Sequence, residues 1–77
     1  MTVTVKGVVT SIREVTRNDK MYIEVMLYQD GQQMLVRCRF MTDFPSDIKL
    51  GSMATITGYL ITWAGNSGSI GSMIRVA

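Results

Sequence analysis

The sequence predicts a small all-β domain of five strands. Three observations point there: two-residue alternation of apolar and polar side chains dominates, helical periodicity is scarce, and Asp30-Gly31, a strong turn signal, separates two alternating runs. With 77 residues, 47% of them hydrophobic and 18% charged, the chain has room for a single domain over residues 1–77 and is too apolar for a disordered tail. A domain this short buries only about 60% of the surface it exposes when unfolded, which favours self-association.

Val3, Val5, Val8, Val9, Ile12 and Val15 mark a long first strand over residues 2–16. Val3 and Val5 share one parity, whereas Val8 and Ile12 take the other, so a bulge or sharp coil is expected at the intervening Gly7. Arg17-Asn18-Asp19-Lys20 reads as a polar connection. Residues 22–28 and 34–40 both alternate and are expected to pair through a two-residue Asp30-Gly31 turn. That register sets Leu27 against Met34, Val25 against Val36 and Ile23 against Cys38 on an apolar inner face, with Met34 filling the core. The outer face then pairs Tyr28 with Gln33, Met26 with Leu35, Glu24 with Arg37 and Tyr22 with Arg39.

Residues 41–50 show no alternation and predict an irregular connector, with Pro45-Ser46-Asp47 able to open one short helical turn. A fourth strand is expected over residues 52–61 with Gly58 inside it, Trp63 following it beside a small-residue loop, and a closing strand over residues 70–76. Five strands, a coiled glycine-bearing first strand and a connector between strands three and four describe the five-stranded oligonucleotide/oligosaccharide-binding barrel, the OB-fold. An SH3-like barrel is the rival; its strands are shorter and its long loop comes early.

Composition narrows the chemistry. One cysteine allows no internal disulfide, and without histidine there is neither a zinc finger nor the usual general base. The acids show no metal-loop spacing, and no lysine follows a glycine-rich stretch as in a phosphate loop. The expectation is a protein that is not an enzyme and needs neither cofactor nor metal. Cys38, between Val36 and Phe40 on the inner face, is expected to be inert packing. No apolar run approaches the ~20 residues of a membrane helix and no secretion signal is visible, which predicts a cytoplasmic setting without membrane association.

A net charge of +2 names no partner by itself, so the placement of the charges decides. Tyr22, Tyr28, Arg37 and Arg39 fall on the outer face of strands two and three, with Met26 and Glu24 among them. Aromatic rings stack on unpaired bases and guanidinium groups bind phosphates, so this is the surface a single-strand binder requires. The bland alternative is an ordinary exposed sheet, with tyrosine present for packing and Glu24 in a cross-strand ion pair. Trp63 is either a stacking platform or a plug for the barrel end. Arg13, Arg17 and Lys20, around the first connection, are candidates for steering a phosphate backbone.

On these residues the chain resembles single-stranded DNA-binding OB proteins, nearest the small helix-destabilising proteins of filamentous phages. The resembling stretch runs from Val9 to Val76 and includes Asn18-Asp19-Lys20-Met21-Tyr22, Leu35-Val36-Arg37-Cys38-Arg39-Phe40 and the Asn66 loop. The segment from Gly51 to Leu60 is similar to the fourth strand of bacterial single-strand-binding proteins. The resemblance implies a homodimer that coats single-stranded DNA with little sequence preference during phage or plasmid replication, in the host cytoplasm if the chain is viral. It implies that Tyr22, Arg37 and Arg39 lie in the DNA groove, with the loop after Trp63 as a flexible arm or dimer hairpin. The chain departs from these proteins in its weaker basic charge and in carrying no long acidic tail. RNA is a possible ligand in place of DNA. The competing expectation is a protein-interaction OB module or small structural subunit without nucleic-acid affinity, which the many methionines would suit.

Overall fold

Strand β1 (Thr2–Arg17) is shared between two neighbours, and this sharing closes the sheet. The computed structural model describes residues 1–76. The other strands are β2 (Lys20–Tyr28), β3 (Val36–Phe40), β4 (Met53–Ala64) and β5 (Ile70–Val76), and no helix forms among the described residues. The first half of β1 pairs antiparallel with β4, from Thr2↔Tyr59 to Val8↔Met53. Its second half pairs antiparallel with β2, from Val8↔Tyr28 to Arg17↔Lys20. The strands follow one another as β1-β2-β3-β5-β4, with β3 and β5 parallel over Cys38↔Ile74, Arg39↔Arg75 and Phe40↔Val76.

The phase change in β1 does not sit at Gly7 as the alternation implied. The register shifts between Val9 and Ser11, so Thr10 is the extra residue, and its hydroxyl donates to the Met26 carbonyl at 3.1 Å. Val3, Val5 and Val9 therefore face inward before the bulge and Ile12 after it. Gly7 serves a different need. A methyl group there would lie 2.6 Å from the Tyr28 carbonyl oxygen, so only glycine lets β1 bend this close to β2.

The polar connection over residues 17–20 is a tight hairpin turn. Asn18 (φ 52) and Asp19 (φ 62) both occupy the left-handed region while Arg17 pairs with Lys20, the geometry of a type I′ turn.

The β2–β3 pairing keeps the expected faces but shifts by two residues. Val25 faces Cys38 and Leu27 faces Val36 on the inner face, and Glu24 faces Arg39 and Met26 faces Arg37 on the outer one. The reason lies in the turn. Gln32 N–H donates to the Gln29 carbonyl at 3.0 Å and only Gly31 (φ 81) has positive φ, which is the type II pattern. Type II turns splay the flanking strands, so pairing stops at Leu27↔Val36. Met34 and Leu35 leave the sheet, and Met34, expected in the core, is 81% exposed.

The connector over residues 41–52 is irregular throughout. Phe44 meets Phe40 edge-on at 5.2 Å and Ile48 is buried against the inner face. Its end is fastened to β1 beside the bulge: Gly51 N–H donates to the Val9 carbonyl (2.8 Å), and Val9 N–H to the Ser52 carbonyl (2.9 Å). Val9, Val25, Leu27, Cys38, Phe40, Ile56 and Ile74 complete the core. β4 runs three residues further than expected, so Trp63 lies within the strand, opposite Gly71 of β5.

Candidate functional site

The outer face of the closed sheet carries one lateral row contributed by all five strands. Arg13 of β1 faces Glu24 of β2, Glu24 faces Arg39 of β3, Arg39 faces Arg75 of β5 and Arg75 faces Tyr59 of β4. Alternation puts each side chain outward; the strand order makes them neighbours.

Glu24 organises the row. It is 3% exposed although it lies on the outer face, because arginines cover it. Arg13 donates from Nη2 and Nε to Glu24 Oε1 at 2.9 and 3.2 Å, and Arg39 Nε donates to Oε2 at 3.4 Å. Arg37 Nε is 3.7 Å from Oε2, too long for a hydrogen bond, and is buried with no acceptor among the described residues. Burial pushes the Glu24 carboxyl toward protonation most strongly. The hydrogen bond from Arg13 and the charges of Arg13, Arg37 and Arg39 together outweigh it and hold the pKa below the ordinary carboxylate value. Three guanidinium groups on one carboxylate leave this cluster with a surplus of two positive charges.

Beside the cluster, Arg37 and Trp63 separate two open hollows. One, of about 420 Å³, is walled by Arg17, Arg37, Arg39, Ile61, Trp63 and Met73 and is basic. The other, of about 360 Å³, is lined by Met26, Met34, Leu35, Ile70, Gly71, Ser72 and the shared Arg37 and Trp63, and is mostly apolar. The Trp63 indole rests on Gly71 across the strand pair and is 42% exposed. Phosphate-sized anions suit the first hollow and flat apolar rings the second.

Of the residues the sequence singled out, the structure brings Arg17, Arg37, Arg39 and Trp63 to these hollows. Tyr22 does not offer its ring to a ligand. It is 7% exposed because the Arg39 guanidinium covers it, 5.0 Å from the ring centroid. Arg13 sits at the flank, bound to Glu24. Tyr28 lines a separate depression with Lys6, Val8 and Met53, and Lys20 stands exposed on the β1–β2 hairpin, outside both hollows. Ile61, Met73 and Arg75 were missed. The alternation within β5 sorts Met73 and Arg75 from buried Ile74, but only the parallel β3–β5 pairing shows that they adjoin Arg37 and Arg39. Cys38 is buried, and burial pushes its thiol up to about 12. Among the described residues no group of three or more Asp, Glu or Cys gathers to hold a metal ion, and no helix is long and apolar enough to cross a membrane.

Comparison with protein-family models, curated proteins and solved structures finds no match to this chain.

Proposed function

We propose that the protein is a non-enzymatic single-stranded nucleic-acid-binding protein built on an OB-type barrel. The observation that carries this reading is the pair of adjoining hollows, basic and apolar, divided by Arg37 and Trp63. A single strand presents a continuous anionic backbone and a row of flat unpaired rings, and these need such halves side by side. In OB barrels the face of strands two and three and the loops after strands one and four hold the ligand. Here Arg37 and Arg39 come from β3, Arg17 from the end of β1, and Trp63 and Ile70 from the ends flanking the β4–β5 loop. The order β1-β2-β3-β5-β4 with β1 shared supports the same fold.

The hollows are lined chiefly by arginine, aliphatic, thioether and indole groups, which meet backbone phosphates and ring faces, so binding follows backbone and stacking rather than sequence. The resemblance to the small phage helix-destabilising proteins extends the proposal to cooperative coating of single-stranded DNA by a homodimer during phage or plasmid replication. Its setting is then the cytoplasm, that of the host if the chain is viral.

A protein-interaction module is the second reading, favoured by the exposed Met34 and Ile70 (81% and 82%) at the rim of the apolar hollow. Titrating Trp63 fluorescence with a mixed-sequence DNA oligonucleotide at two salt concentrations tests both. Neutralisation of about three phosphates gives a log–log salt slope near −2. No binding by fluorescence and by mobility shift removes the nucleic-acid reading in favour of the second. An RNA oligonucleotide of the same sequence, run in parallel, decides between DNA and RNA.

A further inference from the structure

We infer that Gly71 is a positioning residue: it seats the Trp63 indole flat on the sheet, so that Trp63 offers one face to a single base. The inference rests on the nucleic-acid reading and names the element that sets the geometry of its stacking half.

The seven glycines fall into groups by what they do. Gly31, Gly51 and Gly68 take positive φ in turns. At Gly7 and Gly58 a methyl group would run first into a backbone carbonyl oxygen, of Tyr28 and Arg75 respectively. At Gly65 it would meet Ser69 within the same loop. Gly71 alone faces an aromatic ring. The three atoms nearest to a methyl group there are Cε2, Cζ2 and Nε1 of Trp63, all at overlapping distance, and no backbone atom is closer. Gly71 has no positive φ, so nothing in its own backbone forbids a side chain. The missing Cβ is space that the indole occupies.

The consequence is geometric. With the Cε2, Cζ2 and Nε1 side of the indole held against Gly71, the ring cannot turn into the sheet, and Trp63 stays in the wall of both hollows, beside Arg37. A base stacked there has Arg37 within reach of its phosphate. Any side chain at position 71 lifts the ring off its seat. A platform with one fixed face also takes one base, not two.

Four proteins test this: wild type, Gly71→Ala, Trp63→Ala and the double variant, each titrated by mobility shift with the same single-stranded DNA oligonucleotide at two salt concentrations, with Trp63 fluorescence followed as well in the two that keep the tryptophan. Gly71→Ala is expected to weaken binding about 5- to 150-fold, the worth of one stacked base, and to reduce the quenching of Trp63. Its salt slope stays that of wild type because the arginines are untouched. Added to Trp63→Ala, it costs nothing further. Wild-type affinity and quenching in Gly71→Ala, or an equal loss in both backgrounds, overturns the inference. If Gly71→Ala fails to fold, the double variant decides: recovery of the fold puts the collision on the ring, and continued misfolding makes Gly71 a backbone requirement and overturns the seat. A wild-type protein that binds no oligonucleotide fails at the first titration, and the nucleic-acid reading fails with it, which separates that failure from a failure of the seat alone.

Discussion

The Arg39 guanidinium lies over the Tyr22 ring, 5.0 Å from its centroid, while its Nε donates to Glu24 at 3.4 Å. Tyr22 thus supports an arginine instead of a base. Tyr22→Phe retains the ring and is expected to change both stability and oligonucleotide affinity little. Tyr22→Ala removes a buried aromatic and costs about 2–4 kcal/mol in urea unfolding. A strong loss of affinity in a stably folded Tyr22→Phe protein would show instead that the tyrosine hydroxyl meets the ligand.

Glu24→Gln leaves three guanidinium groups around a neutral amide. The expected loss is about 2 kcal/mol, less than for a fully buried pair, because Arg13 and Arg37 reach water. The pH dependence follows from the depressed folded-state pKa. Unfolded Glu24 takes up a proton near its ordinary value of 4.5, while the native carboxylate resists it. The stabilisation is therefore complete above 4.5 and is lost as pH falls from there through the folded value. Urea midpoints measured from pH 7 downward are expected to fall more steeply for wild type than for Glu24→Gln in that acid window.

Alternation was enough to place Val25, Leu27 and Cys38 inside and Arg37 and Arg39 outside, and this survived an error in register. The shift was two residues, and a strand repeats its faces every two. Turn conformation was not legible. Asp30-Gly31 suits several turn types, and the type II hydrogen bond that formed expelled Met34 from the sheet. Asn18-Asp19 has no glycine, so its left-handed pair passed for a plain connection. The burial of Tyr22 was beyond sequence reasoning as well, since it depends on Arg39 folding back over a neighbouring strand. The basic hollow was half visible: Arg37 and Arg39 share a strand, whereas Met73 and Ile61 reach them only through the order in which β3, β5 and β4 close.

Cys38 is fully buried, and burial raises its thiol from 9.0 to about 12. At neutral pH no thiolate is presented, so a thiol-specific reagent is expected to label the protein only through its unfolded fraction. Labelling rates across a urea series should follow the unfolded fraction. The unfolded thiol deprotonates near 9.0 and the native one does not, so this contribution to stability is present below 9.0 and declines as pH rises from there toward 12. Rapid labelling in the absence of denaturant would mean that β3 opens locally.

Arg17, Arg37 and Lys20 separate the proposed hollow from general surface charge. Arg17 and Arg37 wall it, whereas Lys20 pairs with Arg17 across the β1–β2 hairpin but stays outside. Each is a single positive charge, so simple attraction between a basic protein and DNA would make the three alanine variants equivalent. Binding within the hollow makes them unequal. Arg17→Ala and Arg37→Ala should each make the log–log salt slope shallower by about 0.7, one phosphate contact, and Lys20→Ala should leave it where it is. Arg37 carries a second expectation. Its buried Nε has no acceptor among the described residues, so the side chain is poised to exchange its 3.7 Å approach to Glu24 for a hydrogen bond to a phosphate oxygen. Arg37→Lys keeps the charge but loses the planar donor set, and is expected to preserve the slope while weakening affinity several-fold. Equal slopes and affinities across Arg17→Ala, Arg37→Ala and Lys20→Ala would assign the binding to diffuse charge and take the ligand out of the hollow.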